Sequence, residues 1–170
     1  MQLTSSERLA ARMQGKPVDR IPNLSLVMQF AAHHIHVPLA QYYQDYHVLC
    51  EANFRTVETY GLDTVDAISD PYRETADFGA TIIFPDDDLP LCPEPLLKDT
   101  TDLSQLRHPD PLAPGSRMRD RVDAIRLFRR EVGGQIPVQG WVEGALAEAA
   151  DLRSVSALMY DLYDRPEWVI

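Results

Sequence analysis

Apolar positions recur along this chain with two different periods. "TSSERLAARMQG" (4–15) puts Leu9 and Met13 on one side of a helix. Thr4, Ser5 or Ser6 is its cap and Gly15 its stop. "IPNLSLVM" (21–28) is a short unbroken apolar run and predicts a buried first strand. "LAQYYQDYHVLCEANFRTVETYG" (39–61) carries Tyr43, Tyr46, His47, Cys50, Phe54, Val57 and Tyr60 at steps of three and four, which predicts one long helix ending at Gly61. "DTVDAIS" (63–69) predicts a second strand, and "ATIIFPDDDLPL" (80–91) a β-rich segment running into an acidic turn. "SRMRDRVDAIRLFRREVGG" (116–134) predicts an amphipathic helix, "QIPVQGWVEG" (135–144) a third strand, and 151–170 a helical end broken before Pro166.

Helices alternating with strands imply a parallel sheet with right-handed crossovers. A doubly wound sheet and a (β/α)8 barrel both fit that order. "LSLVMQFAAHHIH" has no glycine, so the phosphate-binding turn of a dinucleotide fold is missing after the first strand. The barrel is therefore preferred. A barrel takes about 250 residues, and this sequence has 170 with three predicted strands. The expected domain is thus residues 1–170 as the N-terminal portion of a barrel.

Composition is that of an ordinary globular protein, 45% apolar and 25% charged. No stretch reaches the roughly 20 apolar residues of a membrane helix, and the N-terminus lacks a signal core. The two cysteines, Cys50 and Cys92, are far apart in sequence, and free thiols in a cytoplasmic setting are expected. A net charge of -10 argues against nucleic acid or an anionic membrane as partner.

"GKPVDRIP" (15–22), "YGLDTVDAISDPYRETADFGATIIFPDDDLP" and "IPVQGWVEGALAEAADLRSVSALMYDLYDRPEWV" resemble, in that order, blocks of the uroporphyrinogen decarboxylase superfamily. They look more like its corrinoid-linked methyltransferase branch than its haem-pathway decarboxylases. The resemblance implies a (β/α)8 barrel, α/β in class, of which this sequence matches the N-terminal half. It makes the first helix a cover for the bottom of the barrel and 15–22 the lead-in from it to the first barrel strand.

Barrel chemistry sits at the C-terminal ends of the strands. The candidates there are Gln29, His34 and His36 after the first strand, Asp70, Tyr72 and Glu74 after the second, and Trp141 and Glu143 after the third. Asp70 matches the aspartate that, in the decarboxylases, faces the substrate's pyrrole N–H groups, and it is the expected catalytic residue. The other reading is that Asp70-Pro71 simply starts a turn. "HHIH" (33–36) offers His34 and His36 on one side if extended. Zinc needs three or four converging ligands, and no CxxC or HExxH supports it, so a polar loop at the barrel mouth is expected and no metal ligand is assigned. In the methyltransferase branch, zinc ligands lie in the second half of the barrel, so zinc is expected only with a C-terminal half. Glu143, between Gly140 and Gly144, is expected either to orient a substrate amine or corrinoid side chain, or to cap the next helix. Asp86, Asp87 and Asp88 read as a solvated turn without the spacing of a calcium loop.

The decarboxylases carry an arginine-rich loop after the first strand that grips substrate carboxylates. Here no arginine or lysine falls between Arg20 and Arg55. The expectation is methyl transfer between a cobamide and a thiol or similar acceptor, with a corrinoid protein as a partner. Tetrapyrrole decarboxylation is the alternative. An inert half-barrel or binding module that needs a partner, a second copy or a C-terminal half, is the third reading.

Overall fold

The structure, a computed structural model, describes residues 2–169. Two compact units divide the chain: residues through Ser69 with Asp120–Trp141, and Asp70–Arg119 with Val142 onward.

The first unit starts with α1 (Ser5–Met13), where Thr4 and Glu7 form a reciprocal capping box. Gly15 follows in the left-handed region at φ 69°, the conformation a non-glycine residue adopts only with strain. The run at 21–28 is not a strand. Pro22 has no N–H to give, and the Asn23 side chain accepts from Ser25 N at 3.2 Å, an Asx turn that bends the chain away from extended pairing. The chain then enters α2 (Met28–His34). Expected as one helix, 39–61 is two, α3 (Leu39–Gln44) and α4 (Tyr46–Tyr60). Between them Asp45 is extended, and its carboxylate accepts from His47 N at 2.8 Å as the cap of α4. Gly61 closes α4 at φ 63° as expected.

Two short strands, β1 (Val65–Asp66) and β2 (Val138–Gln139), pair in parallel. Val65 N donates to Pro137 O and Ala67 N to Gln139 O, each at 3.1 Å. They fall within the expected second and third strands. α6 (Arg117–Val132) lies between them in sequence and buries Ala124 and Phe128. Phe128 meets the Phe54 ring of α4 edge-on at 5.4 Å, and Cys50 Sγ lies 3.6 Å from Ala124 O. The core of this unit is therefore the stripe of α4 facing α6 and β1, with Leu49, Ala52, Val65 and Ala67 fully buried.

The second unit holds α5 (Arg73–Asp77), α7 (Ala145–Arg153), α8 (Val155–Asp164) and α9 (Pro166–Val169). The break before Pro166 is thus where the sequence places it. A single antiparallel bridge, Ile83 to Leu91, closes the acidic turn. Arg153 ties the unit together, pairing with Asp161 at 2.7 Å and donating to Lys98 O at 2.9 Å and Thr100 O at 3.1 Å. Asp77 accepts from Arg117 N at 2.9 Å and Met118 N at 2.8 Å, so a carboxylate meets the positive end of α6.

Candidate functional site

The segment that leaves β1 runs through Ser69 to Asp70, whose side chain is fully buried. Arg117 grips it bidentately, Nη1 to Oδ1 at 3.0 Å and Nη2 to Oδ2 at 2.8 Å. The fully buried Arg73 brings Nε to 3.8 Å from Oδ2 and donates from Nη1 to Arg117 O at 3.2 Å. The Arg117 guanidinium also lies 4.6 Å from the centre of the Phe84 ring. Tyr72 N donates to Asp70 Oδ1 at 3.1 Å, so the turn reading of Asp70-Pro71 has a bond behind it. Neither arginine was singled out by the sequence. Arg117 is far from Asp70 along the chain, and nothing in local spacing pairs them.

Tyr72 precedes α5 and Glu74 lies on it, only 9% exposed. Burial, with Asp151, Cys92 and Asp70 nearby, raises the Tyr72 hydroxyl's pKa. Glu143 lies two residues before α7, in the segment after β2, and is half-buried. The N-cap of that helix is Gly144, which brings no side-chain hydrogen bond of its own.

Sequence reasoning passed over two acids on α7. Glu148 is 9% exposed; its Oε2 accepts from Thr75 Oγ1 at 2.9 Å, and its Oε1 is buried without a hydrogen-bond partner. Burial pushes its pKa up to about 7; the Thr75 bond opposes this, and the charges of Glu74, Asp151 and Glu143 add to it. Asp151, half-buried, is pushed up to about 6 by burial and then by Glu143. One signal was available: Glu148 stands four residues before the buried Leu152, on the inward stripe of an alanine-rich helix. In the first unit Asp66 on β1 is 1% exposed and burial raises its pKa to about 6, against a bond from Ile68 N.

The remaining candidates belong to the first unit. Gln29, on α2 rather than at a strand end, donates to the Tyr43 hydroxyl at 2.8 Å. His34 ends α2, with Nε2 3.1 Å from Thr59 Oγ1 and its ring against Phe30 and Tyr60. His36 is exposed, in a turn at φ 58°. The segment is not extended: His34 is helical and His36 lies in the turn beyond the helix. Trp141 accepts at its backbone oxygen from Arg121 Nη1 at 2.9 Å. Among the described residues no three His, Cys, Asp or Glu side chains converge to hold a metal ion, and no helix is long and apolar enough to cross a membrane.

A buried acid after one parallel strand and a group of acids after the next are features of an α/β protein with its chemistry at the strand ends. Residues 4–169 match the uroporphyrinogen decarboxylase (URO-D) family, and the chain belongs to it. A uroporphyrinogen decarboxylase of Alkalilimnicola ehrlichii is 25% identical over 95% of this chain and 47% of its own length. A solved methyltransferase from Methanosarcina mazei superposes with a TM-score of 0.81 over 99% of this chain and 50% of that one, at 22% identity. The likeness establishes the fold expected from the sequence, one part of a (β/α)8 barrel. The chain spans about half the length of these relatives.

Proposed function

We propose that this chain contributes the first half of a barrel that transfers a methyl group between a cobamide and a thiol or similar acceptor. One observation carries the reading: both oxygens of Asp70 are engaged by Arg117. A carboxylate that is to accept several pyrrole N–H bonds needs those oxygens for the substrate. Here it serves instead to hold the buried Arg73 and the part-buried Arg117, so Asp70 is a positioning residue, acting through them. The acids Glu143, Glu148 and Asp151 support the same reading. They repel a substrate ringed by carboxylates, whereas the amide side chains of a cobamide bond to acids without that penalty. No arginine between Arg20 and Arg55 supplies the missing grip.

In the reaction, the acceptor's sulfur takes the methyl group and the carbon–cobalt electron pair stays with the corrinoid substrate. A corrinoid protein is the natural carrier of that substrate. The residues described here provide the acid-lined strand ends. Absorbance titration of the natural full-length protein tests the reading. Saturable binding of methylcobalamin with none of uroporphyrinogen is expected; the opposite order of affinity would restore the decarboxylase reading.

A further inference from the structure

Glu148 and Asp151 stand three residues apart on α7, which places them on one side of the helix with Cβ atoms roughly 5–6 Å apart. No lysine or arginine among the described residues comes within ion-pair range of either. The charged groups around them are otherwise spoken for. Arg153 on the same helix pairs with Asp161 of α8, and Arg73 on α5 and Arg117 turn to Asp70. What faces the pair is acidic or neutral: Glu74 and Thr75 from α5, Glu143 from the segment before α7, and Tyr72 and Cys92 beside Asp151.

Burying an acid without a partner is costly, and a purely structural role here would be better filled by an apolar side chain. Thr75 fixes one oxygen of Glu148, and the other, Oε1, is buried with no hydrogen-bond partner. A positive charge offsets that cost. The donors do not converge as a metal set does, which favours an organic cation. Tyr72 and Asp151 are both partly exposed, so the pair is reached from their side, where an aromatic ring stands beside a carboxylate.

We propose that Glu148 and Asp151 form a binding site for an organic ammonium ion, a protonated or quaternary methylated amine, with Glu148 Oε1 and the Asp151 carboxylate as its counter-charges. The site does not depend on the methyl-transfer reading above, in which the methyl group passes between a cobamide and a thiol.

Isothermal titration of the protein with trimethylammonium chloride, and with the neutral tert-butanol of similar size, tests the proposal. Trimethylammonium is expected to bind saturably, tert-butanol not at all, and Glu148→Gln and Asp151→Asn each to weaken binding about tenfold or more. Glu148→Gln removes a charge from a repulsive group, so its melting temperature is expected to match or exceed that of the parent, which separates lost binding from lost folding. Unsaturable heats, equal binding of tert-butanol, or unchanged affinity in both variants would overturn the site. Ammonium binding without any methyl transfer would leave the site standing and sink the methyl-transfer reading alone.

Discussion

Asp70 and Glu148 are both buried acids of the second unit, and they differ in what surrounds them. Asp70 has two arginines against it, and the ion pairs it makes with them keep its charge satisfied. Glu148 has one threonine hydroxyl and three acids, and its pKa rises from an ordinary 4.5 to about 7. A raised acid stabilises the fold fully below its ordinary value and loses that contribution as pH climbs through the folded one. Stability is therefore expected to fall between about pH 5 and pH 8, with Asp151 and Asp66, both raised to about 6, contributing to the same decline. Glu148→Gln is expected to flatten that slope and to be more stable than the parent at pH 8, by roughly 1–3 kcal/mol. Thermal melts across this range check it; a less stable variant at pH 8 would show that the Glu148 charge has a partner in solution. Sequence placed Asp70 at a strand end by its spacing. It could not show Arg117 returning to it, because that contact spans 47 residues.

Among the elements, the stiff segment 15–22 is explained by Asp19 and Arg20 rather than by a strand. Asp19 accepts from Arg8 Nε at 2.7 Å and Nη2 at 2.9 Å, binding the segment to α1. Arg20 Nη2 donates to Asp63 Oδ1 at 2.9 Å, binding it to the approach to β1. Asp63 is fully buried and also accepts from Ser5 Oγ at 2.8 Å and Asn23 N at 2.7 Å. Burial works to raise its pKa, but the bonds from Arg20, Asn23 and Ser5 outweigh it and the pKa is lowered. Removing this carboxylate takes from the buried Arg8 one of its two acidic partners and from Arg20, Ser5 and Asn23 a shared acceptor, so Asp63→Ala is expected to cost about 3 kcal/mol in chemical denaturation. A cost below about 1 kcal/mol, the ordinary value of an exposed pair, would contradict the hub. The prolines and caps of these elements were legible because their chemistry is local: Thr4, Gly15, Gly61 and the break before Pro166 all act within a few residues. The strand expected at 21–28 failed because an apolar run alone does not distinguish extended pairing from an Asx turn leading into a helix. The division of 39–61 was hidden for a related reason. Apolar spacing continues across Asp45, and only its extended backbone reveals a new helix start.

At the scale of the whole molecule, β1 and β2 pair only with each other among the described residues. A (β/α)8 barrel closes with eight strands, so this two-strand sheet is open at its edges, although the Asn53 side chain meets Asp66 N on β1 at 3.2 Å. Large side chains are also exposed in the second unit, with Val142 at 81%, Tyr160 at 71% and Tyr163 at 87%. These 170 residues on their own are expected to self-associate, or to associate with a separately supplied second half. Light scattering at low micromolar concentration checks this, and a monodisperse, cooperatively melting monomer would contradict it. The family was legible in three sequence blocks that fall in its order along the chain. The acids of α7 were not, because burial of a glutamate depends on what packs over it.

The central claim is that Asp70 is held by arginine and that the strand ends suit an amide-bearing methyl carrier. It is tested most directly by supplying the natural full-length protein, in parallel, with isotopically methyl-labelled methylcobalamin plus a simple thiol and with carboxyl-labelled uroporphyrinogen. Label appearing in a methyl thioether, with no labelled carbon dioxide released, is the predicted result. Release of labelled carbon dioxide with no thioether formed would contradict the account.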